Sequence, residues 1–197
     1  MVVGAIPVIG DDITIQAALE KRGLKVEYVL EKNAKPADTT GKALVILSYT
    51  LDSDLFTAKN MFVDLPVPFI LLERGLLAVL DMATNNKWEE PVTAISIADA
   101  QSPLAAGLPA GDVTVYGTTG EVFWGAPGPG ALKVATAKGK PNEWTIFAYP
   151  KGGMMMTKPA PAKRLHFFLG AHLVPTKFLN DNGVKLLDAA IAWSVQP

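Results

Sequence analysis

Cysteine is absent from the 197-residue sequence. That excludes disulfides, thiolate metal sites and a cysteine nucleophile, and it leaves the redox compartment undetermined. Histidine is scarce, with only His166 and His172. One histidine and one glutamate at a common edge fall short of the three protein ligands of a catalytic zinc, so no metal site is expected. A dominant charge is also missing: 18 Lys and Arg stand against 19 Asp and Glu, a net charge of −1 with no basic stripe. Nucleic acid is therefore not an expected partner. The most apolar stretch, residues 67–80, is interrupted by Glu73 and Arg74, and nothing approaches the roughly 18 apolar residues of a membrane helix, so no membrane insertion is expected. No Gly-x-Gly-x-x-Gly follows the first strand and no Gly-Lys-Ser/Thr occurs, so no cofactor is implied.

What is present is apolar and rich in turns. Hydrophobic residues make up 49% of the chain, with 17 Gly and 15 Pro, and mean hydropathy is +0.24. This excludes intrinsic disorder and supplies a sizeable core. The length suits one domain spanning 1–197. Residues 1–6 lack a basic leader and a small-residue cleavage site, so they read as a strand and not as a signal peptide. A chain that opens on a strand fits a mature form or a domain cut from a larger protein.

The pattern predicts strand, helix, strand. Residues 1–6 form a buried strand, Pro7 and Gly10 break it, and Asp11-Asp12 caps a helix whose Ile15, Ala18, Leu19 and Arg22 share a face. Gly23 closes that helix. Further strands fall at residues 25–30, 43–47 and 67–72. A helix led by Asp52-Ser53-Asp54 carries Leu55, Ala58 and Phe62, and a short one covers 75–80. Buried strands alternating with helices predict an α/β fold, a flavodoxin-like parallel sheet flanked by helices. Short strands at 92–98, 113–116, 122–124, 132–136 and 144–149, separated by Gly and Pro turns, predict an antiparallel β excursion over about 92–150. A buried strand at 164–169 and a closing helix at 181–195 complete the chain, with Val184, Leu187 and Ile191 aligned.

Four segments, in this order, carry a resemblance. They are Pro68-Phe69-Ile70-Leu71-Leu72-Glu73-Arg74-Gly75, a strand entering a sharp turn; Ser102-Pro103-Leu104-Ala105-Ala106-Gly107-Leu108; Arg164-Leu165-His166-Phe167-Phe168-Leu169-Gly170-Ala171-His172; and Leu186-Leu187-Asp188-Ala189-Ala190-Ile191-Ala192-Trp193. Together with the opening strand, helix and strand, they resemble the class I glutamine amidotransferase-like superfamily, and within it the trehalose-utilisation-type branch. The resemblance implies that fold over nearly the whole chain. It also implies a catalytic cysteine at the turn, where this chain has Glu73, and a leading histidine where it has Ser102. Only His172 matches a family histidine. A glutaminase needs a thiolate to attack the amide, so amidotransferase activity does not carry over. What remains is a non-catalytic, ligand-binding or architectural module. Relatives of this kind imply a bacterial, extracellular or periplasmic setting linked with polysaccharides. The implied partners are a small molecule or carbohydrate, or other domains of a parent protein.

Ligands of open parallel sheets bind beyond the carboxyl ends of the strands. There residues 7–12, 48–52, 73–74 and 170–172 should converge, making Ser48, Tyr49, Asp52, Glu73, Arg74 and His172 the ligand-binding candidates. If the protein is an enzyme, Glu73 serves as base or nucleophile with His172 in a hydrolase-type reaction. Otherwise Glu73 caps the turn after its strand, Asp52 caps a helix, and Arg74 is a structural partner. His166 is expected to be structural, sharing a strand face with Arg164 and Phe168. Trp88, Trp124 and Trp144 could form a sugar-stacking surface or anchor the excursion. Met154, Met155 and Met156 would point to alternate faces of a strand at a loose core edge.

Overall fold

The computed structural model describes residues 1–5, 12–170 and 179–196. In chain order these form β1 (Val2–Gly4), α1 (Asp12–Lys21), β2 (Tyr28–Leu30), β3 (Val45–Leu47), α2 (Lys59–Phe62), β4 (Phe69–Leu71), β5 (Ala83–Val92) and β6 (Ala94–Ile97). There follow β7 (Gly111–Thr114), β8 (Gly120–Pro127), β9 (Leu132–Ala137), β10 (Lys140–Tyr149), β11 (Arg164–Phe167), β12 (Leu169–Gly170) and α3 (Asp181–Val195).

The main sheet runs β2-β1-β3-β4-β11-β10-β9-β6-β7. Its first five strands are parallel, and from β10 onward the pairing is antiparallel. β8 pairs antiparallel with β5 and β12 and touches β10 at Trp144↔Gly125. The protein is thus an α/β fold of the flavodoxin-like type with an antiparallel excursion in its second half. Among the described residues no helix is long and apolar enough to cross a membrane.

Alternation along the central strands builds two cores, because successive side chains point to opposite faces. Val3, Val45, Leu47, Phe69, Leu71, Phe147 and Tyr149 bury into one, beneath Phe56, Phe62, Leu76, Leu77 and Met155. Val2, Ile46, Ile70, Ile146, Ala148 and Leu165 bury into the other, beneath α1 and α3. On α1 the buried positions are Asp12, Ile15, Ala18 and Leu19, and Gly23 turns the chain with φ +76°. Asn180 opens α3 by accepting the amides of Asn182 and Gly183, both at 3.0 Å.

Several elements differ from the expectations. The expected helix through Leu55, Ala58 and Phe62 shrinks to the four residues of α2. Phe56 and Phe62 pack edge-on at 4.7 Å, and a six-residue spacing does not place two side chains on one helical face. Leu55 is left 49% exposed. After β4 the chain makes only a 3-10 turn (Arg74–Leu76) where a helix over 75–80 was expected. The excursion begins at Ala83 and not near Val92, because β5 is a ten-residue strand. It escapes the apolar pattern because it is mostly exposed; its polar residues and Pro91 suit an edge strand. Met154–Met156 lies outside the named strands, with Met155 buried and Met154 exposed.

Phe168 also departs from expectation. It follows the end of β11 and stacks on Phe167 at 4.5 Å, so both rings join the core beneath α3. His166 and Arg164 face the other core. Arg164 is fully buried. It donates to the carbonyls of Val67 (3.0 Å), Lys163 (3.1 Å) and Leu65, and lies over the Phe69 ring at 4.2 Å. Burial pushes its pKa down to about 9. It thereby ties the start of β11 to the loop entering β4.

Gly183 lies inside α3, where alanine ordinarily stabilises by about 1 kcal/mol. Here an added Cβ would meet the Val115 carbonyl oxygen at 2.4 Å. Gly183→Ala is therefore expected to lower the urea midpoint, the reverse of the helix-propensity sign. An unchanged or raised midpoint would show that α3 is free to move off Val115, just after β7.

Candidate functional site

The carboxyl ends of β1, β3, β4 and β11 lie along one edge, since these strands are parallel. The buried strand ends bring polar side chains into a place where each must find a partner.

Asp12, at the start of α1, is fully buried. Its two carboxylate oxygens accept hydrogen bonds from Ser48 Oγ (2.6 Å) and Thr50 Oγ1 (2.9 Å), just beyond β3. Tyr28 donates its hydroxyl to the Asp12 backbone carbonyl at 3.1 Å. Gly4 makes the approach possible, because a Cβ there would stand 2.6 Å from Thr50 Oγ1. Burial raises the Asp12 pKa above the usual carboxylate value, opposed by the Ser48 and Thr50 hydrogen bonds. Burial, together with the Asp12 charge, pushes the Tyr28 phenol up to about 12. Sequence reasoning read Asp12 only as a helix cap; a hydroxyl residue immediately after a buried strand was the available signal.

Glu73 is buried at the end of β4. Its Oε1 accepts the Gly75 amide at 2.7 Å, so it caps the following 3-10 turn. Its backbone is extended, with φ −87° and ψ 111°. A nucleophile elbow instead holds its residue on a sharp, strained strand-to-helix turn. A Cβ on Gly75 would lie 2.8 Å from both Glu73 Oε1 and Ser53 Oγ, which packs the turn after β4 against the loop after β3.

The adjacent Arg74 lays its guanidinium on the Trp88 ring, 3.7 Å from the centroid, and 5.6 Å from that of Phe123. Asn86 Nδ2 donates to the Arg74 carbonyl at 3.1 Å. Tyr49 packs in the core beneath α1. Asp52 is exposed and accepts the Asp54 amide at 2.8 Å, holding a local turn. Ser48 belongs to the Asp12 cluster. His172 and residues 7–11 lie outside the described residues, so the pairing of Glu73 with His172 is not placed.

His166, by contrast, is deep in the sheet. Its Nδ1 lies 3.2 Å from the Leu71 carbonyl and its ring is 5.0 Å from Phe147. Burial pushes its pKa down to about 4, so it is neutral at pH 7. Ser102 accepts the Leu104 amide at 3.3 Å and opens a 3-10 turn (Pro103–Ala105) whose Leu104 and Ala105 enter the core. The Ser102–Leu108 segment is structural here. Glu31 and Glu121 are further buried carboxylates that sequence reasoning did not single out.

The tryptophans do not share a platform. Trp124 is buried and Trp144 packs against the Phe69 core, leaving only Trp88 among the large exposed hydrophobics. Each of the four rings carries a cation: Arg74 over Trp88, Lys140 over Trp124, Lys133 over Trp144 and Lys163 over Trp193. Among the described residues no three His, Asp or Glu side chains cluster as a metal site would need. A cavity of about 600 Å³, lined by Met1, Leu19, Val26, Lys42 and Leu44, opens at the opposite, amino-terminal edge of the sheet.

No protein-family model and no curated protein matches the sequence. Solved structures match the fold. A candidate GMP synthase subunit from Thermoplasma acidophilum shares 12% identity over 98% of this chain and 95% of its own, with a TM-score of 0.57. The mmIFT52 N-terminal domain shares 11% identity over 100% and 97%, at a TM-score of 0.63. A ThuA-like protein from Bacteroides uniformis shares 7% identity over 98% and 89%, at a TM-score of 0.58. The fold is therefore of the glutamine amidotransferase-like and ThuA-like kind.

His166 and Asp12, both buried, predict opposite pH slopes. His166 has a folded pKa below its ordinary 6.5, so the stability tied to its neutral form is present above that value and is lost as pH falls toward about 4. His166→Gln should flatten this acid-side loss, which can reach about 1.4 kcal/mol per pH unit for one proton. Asp12 has a folded pKa above 3.8, so its contribution is full below that value and is lost as pH rises through the folded pKa. Asp12→Asn should therefore gain stability relative to wild type as pH is raised from about 4 toward neutrality. Urea unfolding across this range checks both, and parallel curves for wild type and either variant would refute that assignment.

Proposed function

We propose that this chain is a non-catalytic domain of amidotransferase-like fold that serves as a ligand-binding or architectural module. The observation that carries the reading is Glu73. In a chain without cysteine, the place where the resemblance puts a thiol nucleophile holds a buried carboxylate that caps its own turn through the Gly75 amide, on unstrained backbone. A carboxylate engaged in this way contributes to the fold and is poorly disposed to attack a substrate. The Asp12, Ser48 and Thr50 side chains are likewise hydrogen-bonded to one another. We read residues 1–197 as one α/β unit with the ligand-facing edge at the carboxyl ends of the strands. The polysaccharide-related, exported setting rests on the resemblance alone.

The test is a turnover screen with chromogenic amide, ester and glycoside substrates on wild type and Glu73→Gln. No turnover above the uncatalysed rate is expected from either protein. Thermal melting should meanwhile show Glu73→Gln folded and within about 1 kcal/mol of wild type, because its amide oxygen can still accept the Gly75 amide. Turnover by wild type that disappears in Glu73→Gln would replace the reading with a hydrolase in which Glu73 is base or nucleophile.

A further inference from the structure

We infer that Arg74, held flat on Trp88, is an oxyanion-binding group, and that the ligand is a small molecule presenting a carboxylate or phosphate. This deepens the module reading above and rests on it.

Arg74 follows Glu73 at the carboxyl end of β4, on the edge where open α/β sheets take their ligands. Its guanidinium makes two ring contacts, with Trp88 and Phe123. Among the described residues no carboxylate, hydroxyl or carbonyl accepts a hydrogen bond from it, and its Nε is buried without a partner. A half-buried guanidinium ordinarily finds acceptors, because a donor removed from water and left unmade is costly. The lysines over the other tryptophans do not share this condition. Lys140 pairs with Glu89 at 2.6 Å, Lys163 donates to the Trp193 and Gln196 carbonyls at 2.9 Å, and Lys133 is exposed to water.

Stacking fixes the guanidinium plane while leaving its terminal N–H groups free within that plane. With Nε covered, the terminal nitrogens remain as an end-on fork, the geometry that a carboxylate or phosphate accepts bidentately. Asn86 holds the Arg74 backbone by its carbonyl, so the fork is anchored at both ends before a ligand arrives. Trp88 is 46% exposed, and its free surface offers an apolar patch for ring carbons next to the anion, as an acidic sugar would present.

The experiment titrates galacturonate, inorganic phosphate and uncharged galactose into wild type, Arg74→Gln, Arg74→Lys and Trp88→Ala. Binding is followed by amide chemical shifts, with melting curves to establish that each variant is folded. Saturable binding of galacturonate or phosphate, but not galactose, is expected, and which of the two binds names the source of the oxyanion. Arg74→Gln should weaken binding by at least about ten-fold, the loss expected for hydrogen bonds to a charged group. Arg74→Lys, which keeps the charge and loses the fork, should fall between. Absence of saturable binding by either anion, or equal binding in folded Arg74→Gln, overturns the oxyanion site. Galactose binding that survives every Arg74 variant would overturn it while leaving the module reading intact. Catalytic turnover in the preceding screen would overturn the module reading whatever the anions do.

Discussion

β11 is four residues long and must satisfy two partners of opposite direction. It runs parallel to β4 and antiparallel to β10, so the α/β half and the antiparallel excursion share this one ladder. A displaced register would turn every side chain of β11 to the wrong face. Arg164 and His166 face one core while Leu165 and Phe167 face the other. A slip would thus put two apolar residues in place of two polar ones on one side and the reverse on the other. Arg164 opposes it by gripping the carbonyls that lead into β4, and His166 by its contact with the Leu71 carbonyl. Both groups are stripped of water, and both are pushed toward their neutral forms for that reason.

The same economy of partners governs the carboxyl edge. Asp12 is fully buried and is satisfied by hydroxyls from the loop after β3. Glu73 is satisfied in part by the amide two residues on. Polar groups at this edge mostly complete one another, and a site whose groups are spoken for is a poor place for a nucleophile. Among the described residues Arg74 is an exception, since its stack on Trp88 supplies contact without an acceptor.

Much of the fold was legible in the sequence. Residues 43–47 and 67–72 are unbroken apolar runs, as strands buried on both faces must be, and they became β3 and β4. The closing helix appeared at Asp181–Val195, as its periodicity and the preceding Asn180 indicate. β5 was not legible, because an exposed edge strand has no apolar alternation to display. Nor was the shrinking of α2, since Leu55 and Phe56 are adjacent and only the packing of Phe56 on Phe62 selects the one that is buried. At the site, Glu73 and Arg74 stood out as charges that break an apolar run. Asp12 did not, because an acidic pair before a helix already has a sufficient local explanation.

Composition and local pattern settle what this chain cannot do and where its strands are buried. Without cysteine there is no thiol chemistry, and apolar runs between turns permit little besides a covered parallel sheet. They do not settle partnership. Asp12 meets Ser48 and Thr50 across 36 and 38 residues of sequence, and Arg74 meets Trp88 across a turn and the length of half a strand. Local periodicity records which side of an element leaves water, because burial is a property of one element against solvent. Which group stands opposite is decided only when strands from distant parts of the chain fall into register.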